Sequence, residues 1–330
     1  MTTLSTGATG FLGGALTRAL VRRGDRVRVL VRPTSDRGVL EGLDVEWVTG
    51  DVTDRPSVAA AVRGCDRVFH AAALVRTWLR DRSQFERVNV EGTRHVLETA
   101  LDAGVTRIVC TSTFLSLAPG EHADDDTRSG ELDARTDYAR TKRLAQLLVD
   151  RFAADGAPVV SVFPGVVFGP GKITAANLVV GWVVRFLRGR FPGYLGRGDR
   201  LWSFAFVDDV VRGHLLADET GHPGRGYCLG GENVSIRTFM ETVARKTGRK
   251  PPRLCLPFPV AKCLGALQEA WAWLTGSEPE LTRAVVDTFR HHWGLDSTRA
   301  QLELGYVVTP LDEAIDRTLA WLRDEKHAEF

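Results

Sequence analysis

Cysteine, net charge and long apolar runs are all scarce in this chain of 330 residues. The five scattered cysteines form no CxxC pair and no His/Cys cluster at zinc-ligand spacing, so we expect reduced thiols. A formal net charge of +2 is too weak to argue for a nucleic-acid partner. The most apolar late stretch, 178–187, contains Arg185 and falls well short of the roughly 20 residues that span a bilayer. The sequence therefore favours a small-molecule partner and predicts no membrane span.

An export signal is also missing from the first residues. Met1–Leu4 lead directly into a strand and a glycine loop, without the charged, apolar and small-residue order of a signal peptide. With 44% hydrophobic and 25% charged residues, the composition is that of an ordinary globular protein. We therefore expect a cytoplasmic protein.

Short β-branched runs alternate with longer helical patterns through the first half of the chain. This alternation predicts right-handed βαβ units and an α/β fold with a doubly wound parallel sheet of the Rossmann type. Ser5 is an exception, because a buried parallel strand is normally a continuous apolar run. The predicted strands are Thr2–Thr6, Arg26–Val31, Val45–Thr49, Arg67–His70, Arg107–Thr111 and Val159–Phe163.

After about Pro164 the pattern changes to helices separated by loops rich in glycine and proline. We expect a dinucleotide-binding domain over 1–165 and a smaller, mostly helical substrate-binding part over 166–330. Phe206–Leu216 has the pattern of a strand end entering a helix, so about 203–218 is expected to return to the Rossmann sheet. A last helix around Trp321 is expected to fray into a polar tail.

The first strand ends in a glycine-rich loop, Thr6–Gly13, which opens the helical pattern Ala15–Arg22. Glycine allows a tight turn and a close approach of backbone to phosphate, and the positive end of the helix dipole favours an anion. The spacing is GxxGxxG instead of GxGxxG, so a purely structural turn stays open. The residues expected to contact a dinucleotide here are Gly7, Thr9, Gly10, Phe11, Leu12 and Gly13.

The second strand ends at Arg32, where an NAD site usually has an acidic residue for the ribose 2′-hydroxyl. A guanidinium suits a 2′-phosphate, so NADP(H) is favoured; NAD(H) stays possible if Arg32 only stacks on the adenine. Asp51 and Val52, after the third strand, are candidates for cofactor contact, with Asp51 accepting from the adenine amino group. The alternative is that Asp51 serves a turn or a helix cap.

Tyr138 and Lys142 begin a long amphipathic pattern, and their i,i+4 spacing places both on one helical face. At about 5 Å and an effective dielectric near 20, their attraction is roughly 3 kcal/mol, which would lower the pKa of the phenol from about 10 to about 8. We therefore expect Tyr138 to act as general acid and base. Thr113, just past the fifth strand, is expected to orient the substrate oxygen, with Ser112 as a competing candidate.

Several motifs taken together resemble the extended short-chain dehydrogenase/reductases over nearly the whole chain. This resemblance implies a catalytic group of Thr113, Tyr138 and Lys142, with Lys142 also holding the nicotinamide ribose. It further implies a nicotinamide-binding wall of Ala71, Ala72, Ala73, Pro164, Val166 and Val167. A homodimer through the Tyr138 helix and the helix around 89–100 is implied as well. The matched elements are Thr6–Gly13, Gly50–Asp54, His70–Ala73, Asn89 within Val88–Thr93, Thr111–Thr113, Tyr138–Lys142 and Pro164–Gly171.

Within this group the chain resembles the dihydroflavonol-4-reductase-like and farnesol-dehydrogenase-like members, through Val29–Pro33, Phe163–Gly171 and Phe206–Val210. The resemblance implies oxidoreduction of a hydrophobic alcohol or carbonyl compound. Phe114 and Leu115 stand where sugar-nucleotide dehydratases carry Asp-Glu, which argues against dehydration. A nucleotide-sugar epimerase and a non-catalytic NAD(P)H sensor remain the alternatives. Candidate residues for an apolar pocket are Trp78, Phe114, Leu115, Trp182, Tyr194 and Trp202.

Two pairs of neighbouring polar residues suggest a metal or an acid-base site, but each pattern has a simpler interpretation. Asp208 and Asp209 enter a helix, where carboxylates complement the dipole. His291 and His292 are adjacent, a poor spacing for two ligands of one metal on a helix. We predict no metal site.

Overall fold

The structure is a computed structural model that describes residues 1–127 and 136–325. Its helices in chain order are α1 (Phe11–Arg23), α2 (Arg55–Val62), α3 (Ser83–Glu86), α4 (Gly92–Asp102), α5 (Asp137–Ala154), α6 (Leu178–Leu187), α7 (Val207–Glu219), α8 (Ile236–Lys246), α9 (Phe258–Thr275), α10 (Arg283–Thr288), α11 (Thr298–Leu304) and α12 (Leu311–Asp324). A π-helical turn, Arg87–Glu91, joins α3 to α4. No helix within the described ranges has the length and apolarity needed to cross a membrane.

The strands form three sheets. In chain order they are β1 (Thr2–Thr6), β2 (Arg26–Val31), β3 (Glu46–Thr49), β4 (Arg67–His70), β5 (Arg107–Thr111), β6 (Gly120–Ala123), β7 (Val159–Pro164), β8 (Val166–Phe168), β9 (Tyr194–Leu195), β10 (Leu201–Phe206), β11 (Gly226–Leu229), β12 (Glu232–Ser235), β13 (Cys255–Leu256) and β14 (Trp293–Leu295).

The largest sheet has seven parallel strands in the order β11-β7-β5-β4-β1-β2-β3. The chain leaves β1 through α1 to β2 on one side and reaches β4 on the other, so the strand order reverses between β1 and β4. Ligands of open α/β sheets bind at this reversal, beyond the carboxyl ends of the strands. The Rossmann-type doubly wound fold expected from the sequence is confirmed.

Helices cover both faces of this sheet, as buried parallel strands require. On one face α1 and α7 bury apolar side chains such as Leu16, Leu20 and Val210. On the other face α2, α4 and α5 do so with residues such as Val58 and Val96. The helices therefore leave the carboxyl ends of the strands uncovered by either helix layer.

Ser5 lies in β1 and is fully buried, although its polarity argued against a strand there. Its hydroxyl is 3.0 Å from that of Thr17 in α1, and Thr17 donates to the carbonyl of Gly13 at 2.8 Å. Because the buried hydroxyl has a partner, the strand tolerates it.

A second, five-stranded sheet lies in the later part of the chain, where β10 pairs with β12, β14 and β8. Its aromatic core includes Phe168, Trp202 and Phe239. We expected about 203–218 to return to the Rossmann sheet; α7 packs on that sheet, but β10 belongs to the second one. From the part of the chain after residue 165, the strand that joins the large sheet is β11, which pairs with β7.

The division into domains at residue 165 stays a prediction. The final helix, α12, ends at Asp324. The polar tail expected beyond it lies outside the described residues.

Candidate active site

A single cavity of about 1000 Å³ runs from the glycine loop along the carboxyl edge of the large sheet into the C-terminal part. It brings together all the residues that the sequence assigned to cofactor or catalysis. They are Gly7, Thr9, Gly10, Phe11, Leu12, Gly13, Arg32, Asp51, Val52, Ala71, Ala72, Ala73, Thr113, Tyr138, Lys142, Pro164, Val166 and Val167.

The glycine loop fits the cavity wall only because its key positions lack side chains. Gly7 has a φ of +76°, and a Cβ there would lie 2.7 Å from the backbone of Ala71. A Cβ on Gly13 would lie 2.1 Å from the carbonyl oxygen of Gly7. The loop therefore brings backbone and the N-terminus of α1 directly to the strand reversal, a cradle that suits a pyrophosphate.

Arg32 is exposed at the end of β2, at the far side of this cradle. Its backbone N–H donates to the Ser35 hydroxyl at 3.2 Å. Within the described ranges its guanidinium has no ion-pair partner, so the cation is available to an anionic group in the cavity.

Asp51 has the turn role that the sequence left as its alternative. Its Oδ1 accepts from both the backbone N–H and the hydroxyl of Thr53, each at 2.9 Å. The cap of α2 is a different residue, Asp54, which accepts from the Ser57 N–H. An additional contact of Asp51 with adenine stays a prediction.

His70 fixes the loop that follows β4. Its Nδ1 is 2.8 Å from the Thr6 hydroxyl and its Nε2 is 3.0 Å from the Thr93 hydroxyl. Burial, and to a lesser extent the charge of Lys142, lowers the pKa of His70 to about 3. The imidazole is therefore neutral and ties β4 to β1 and α4.

Asn89, a matched residue without an assigned role, lies in the π-helical turn and is buried. Its Oδ1 accepts from the Leu74 N–H at 2.8 Å, and its Nδ2 donates to the Thr141 hydroxyl at 3.0 Å. It thus joins the loop after Ala73 to α5, the helix that carries Tyr138. Asn89 positions two walls of the cavity relative to each other.

Tyr138 lies in the first turn of α5, where Thr136 caps the helix by accepting from the Ala139 N–H. Burial raises the pKa of Tyr138 to about 12, and a hydrogen bond with the Thr113 side chain offsets this only in part. The expected lowering to about 8 is wrong. The i,i+4 argument counted the charge of Lys142 and left out desolvation of the phenolate, which is the largest cause of the shift.

Lys142 is buried, and its Nζ donates to the carbonyl oxygen of Thr111 at 2.8 Å. Burial lowers the pKa of Lys142 to about 8. The helical spacing thus places the side chains of Tyr138 and Lys142 in one cavity. Burial raises the pKa of the phenol and lowers that of the lysine, so the phenol is neutral at pH 7 and the lysine has a pKa of about 8.

Thr113 and Ser112 are distinguished by their hydrogen bonds. The Ser112 hydroxyl donates to Ser116 at 3.3 Å, whereas the Thr113 side chain acts on Tyr138 and lowers the pKa of its phenol. This arrangement favours Thr113 over Ser112 as the hydroxyl next to Tyr138.

Aromatic rings line the far end of the cavity. The ring centroids of Trp202 and Phe289 are 4.7 Å apart, and Trp182 contacts both rings. Phe114 extends the group towards Thr113 through a 6.1 Å contact with Trp202. This end of the cavity is suited to a flat or extended apolar molecule.

Five of the six expected pocket residues line the cavity: Phe114, Leu115, Trp182, Tyr194 and Trp202. Trp78 does not; it packs edge-on against Trp273 with centroids 5.9 Å apart. Sequence reasoning missed several lining residues, among them Phe191, Leu264, Gln268, Leu281, Val285 and Phe289. These residues lie far along the chain from the catalytic motifs, and no local sequence motif marks them.

The two polar pairs have structural partners. Asp209 accepts from the N–H and hydroxyl of Thr309 at 2.6 and 2.8 Å, and Asp208 pairs with Arg317. The Nδ1 of His292 accepts from the Leu201 N–H. No group of three or more potential metal ligands occurs in residues 1–127 or 136–325.

Comparisons with known proteins find a family profile and relatives that cover most of the chain. A profile described as the NAD dependent epimerase/dehydratase family matches residues 4–230. Sterol demethylase protein B of Methylococcus capsulatus is 33% identical over 328 residues, covering 98% of this chain and 99% of that protein.

Two further relatives carry reductase names. A putative dihydroflavonol 4-reductase of Synechocystis is 31% identical and covers 97% of this chain and 94% of its own length. A 4-hydroxy-2-methyl-3-oxo-4-farnesyl-3,4-dihydroquinoline-1-oxide ketoreductase of Stigmatella aurantiaca is 32% identical, covering 93% of this chain and 92% of that protein. The likeness to dihydroflavonol-4-reductase-like proteins expected from the motifs is confirmed.

Proposed function

This oxidoreductase belongs to the NAD dependent epimerase/dehydratase family, and we propose that it interconverts a carbonyl group and an alcohol on a small hydrophobic substrate. The preferred pair is a ketone and a secondary alcohol. One observation carries the proposal: Thr113, Tyr138 and Lys142 line one cavity together with the glycine loop and the aromatic cluster. The printed names of the relatives, which include a sterol protein and a farnesyl-quinoline ketoreductase, support an apolar substrate.

A bound NAD(P)H supplies the hydride for the carbonyl carbon in this proposal. Tyr138 donates its phenolic proton to the carbonyl oxygen, so that hydride and proton together yield the alcohol. A neutral phenol at physiological pH is the state that this step requires. The Thr113 hydroxyl orients the carbonyl and stabilises the phenolate that forms, which regains a proton before the next turnover.

Lys142 has two tasks in the same proposal. Its ammonium would hold the nicotinamide ribose of a bound cofactor, and its positive charge, present below a pKa of about 8, would favour the transient phenolate on Tyr138. The Thr111 carbonyl holds Nζ at the sheet edge, close to where the dinucleotide would lie.

The cofactor proposed is NADP(H), because Arg32 presents an exposed guanidinium at the place of the adenosine ribose. The family description names NAD, so the choice needs a direct measurement. We expect NADPH to bind more tightly than NADH in the wild type. Arg32→Ser should weaken NADPH binding by about tenfold or more, the loss of one charge-assisted hydrogen bond, and leave NADH binding nearly unchanged. Equal losses for both cofactors would contradict a 2′-phosphate contact.

The activity is tested with a substrate panel. The purified protein is incubated with NADPH or NADH and with aryl ketones, long-chain ketones, aldehydes and nucleotide sugars, and cofactor oxidation is followed by absorbance. We expect stoichiometric oxidation with the apolar ketones. Conversion of a nucleotide sugar without net cofactor oxidation would instead identify an epimerase, and cofactor binding without any turnover would favour a sensor.

A homodimer through α4 and α5 and a cytoplasmic location are also proposed, on the family resemblance and the reduced cysteines respectively. The cysteines are free within the described residues. Light scattering of the purified chain tests the dimer.

A further inference from the structure

Helix α9 exposes an apolar face that runs along its whole length. Five large side chains follow one another at intervals of four and three residues, so they lie on one side of the helix. Leu267 is 68% exposed and Leu274 80% exposed, values far above those of packed leucines. The five side chains, which we call the α9 face, are Val260, Leu264, Leu267, Trp271 and Leu274.

The two charged side chains of α9 point the other way. Lys262 pairs with Asp287 at 2.7 Å, and Glu269 pairs with Arg283 at 2.8 Å, both partners lying in α10. Pairing with α10 fixes the inner side of the helix. The exposed side therefore carries no charge, and the small residues that flank it, Cys263 and Ala270, are apolar as well.

Basic residues precede this face. Arg249, Lys250 and Arg253 are exposed and form no ion pair within residues 1–127 and 136–325. An uncharged apolar helix face that is preceded in the chain by exposed cations fits a helix that lies in the interface of an anionic bilayer.

The α9 face is also continuous with the cavity. Leu264 is both exposed and part of the cavity wall, and Gln268, one turn further along α9, lines the cavity too. Leu178, likewise exposed, lines the wall contributed by α6. The apolar surface and the aromatic-lined end of the cavity therefore share one rim.

We propose that α9 docks on the headgroup region of an anionic lipid bilayer, with the α9 face inserted, so that the cavity rim faces the lipid. The α10 ion pairs hold the helix along the protein surface, which fits a helix lying in the membrane plane. A second copy of the chain is a weaker match, because a paired helix seam usually has charged flanks that set its register, and these flanks are apolar.

The experiment uses the full chain and vesicles of phosphatidylcholine with or without phosphatidylglycerol. Flotation on a density gradient measures the fraction bound. We expect the wild type to float with the vesicles that contain phosphatidylglycerol. Leu267→Glu with Leu274→Glu should lower the partition coefficient at least about tenfold, because each leucine loses apolar burial in lipid.

The control is Leu302→Glu, which is compared with Leu267→Glu alone so that each variant adds one carboxylate. Leu302 is 81% exposed in α11 and does not belong to the α9 face. It should float like the wild type. Replacing Arg249, Lys250 and Arg253 together with serine should reduce binding to the anionic vesicles and bring it close to that of the neutral ones.

Several results would overturn the proposal. They are failure of the wild type to bind either kind of vesicle, an equal loss in Leu302→Glu, and a dimer in light scattering that Leu267→Glu with Leu274→Glu dissociates. The last result would assign the α9 face to a second copy. Vesicle binding requires no turnover, so its outcome is independent of the proposed reductase activity.

Discussion

The two ends of the cavity are built by different means. At the cofactor end, backbone makes the wall: the ends of β1 and β4 meet, and the missing side chains of Gly7 and Gly13 let the loop pack against Ala71 and against its own backbone. At the substrate end, aromatic side chains from α6, β10 and the segment after α10 make the wall. The cofactor end therefore tolerates almost no change in shape, whereas the substrate end can be altered residue by residue.

The largest expected effect lies where the two ends meet, at Tyr138, the proposed proton donor. Tyr138→Phe removes the phenolic hydroxyl and nothing else, so the carbonyl oxygen loses its proton source. We expect kcat to fall by roughly 10²–10⁴-fold while the cofactor dissociation constant stays nearly unchanged. Steady-state kinetics and fluorescence titration measure the two quantities.

Tyr227→Phe is the matched control for that variant. Tyr227 lies in β11, and its hydroxyl donates to Glu303 at 2.9 Å, outside the cavity. Removing the Tyr227 hydroxyl should leave kcat unchanged. Wild-type turnover in Tyr138→Phe would refute the role proposed for this residue.

At the cofactor end, Gly13→Ala tests the backbone wall. The added Cβ would overlap the Gly7 carbonyl oxygen, so the loop must move away from the phosphate position. We expect the cofactor dissociation constant to rise by roughly 10–100-fold, a loss of about 1.4–2.7 kcal/mol. Circular dichroism on heating separates this loss from unfolding.

Gly181→Ala provides the comparison for that variant. Gly181 lies inside α6 with open space around the position of a Cβ, and alanine is the better helix former. Its cofactor affinity should match the wild type. Unchanged affinity in Gly13→Ala would show that the glycine loop does not touch the cofactor.

The pH dependence probes the lysine at the junction. Lys142 has a pKa of about 8, so its charge is present below pH 8 and is lost above it. We expect kcat/KM for carbonyl reduction to fall by about tenfold per pH unit above pH 8. The arginine of Lys142→Arg keeps its charge at these pH values, so any activity of this variant should not fall above pH 8. The same fall above pH 8 in Lys142→Arg would show that another group causes it.

The smallest effect is expected at the substrate end. Trp182→Ala removes one ring from the aromatic cluster, so KM for an apolar ketone should rise by about tenfold, the worth of one buried aromatic contact. KM for acetone, which is too small to reach this ring, should stay within about twofold. A collapse of kcat would contradict the division between the two ends.

The sequence predicted the strands of the first half of the chain well because β-branched runs and the turns between them are local features. Four predicted strands have the observed bounds, and the other two differ by one residue at one end. The long-range pairing of β10 with the second sheet has no such local feature, because an apolar run does not say which sheet it joins.

The pKa of Tyr138 also differs from the prediction because of long-range structure. Spacing to Lys142 is readable from sequence, but desolvation depends on segments that fold over the site from elsewhere. The prediction that Trp78 lines the pocket was wrong, and Phe289, which does line it, was not predicted. Aromatic residue type alone does not distinguish a pocket wall from a packed surface.

Transfer of deuterium from the cofactor tests the central claim most directly. The purified chain is incubated with NADPH deuterated at the transferred position of nicotinamide C4 and with an apolar ketone from the panel. Mass spectrometry should find one deuterium on the carbinol carbon of the alcohol, with an equal amount of NADP⁺ formed. Alcohol without deuterium, or no oxidation of either cofactor with any carbonyl substrate, would contradict hydride transfer in this cavity.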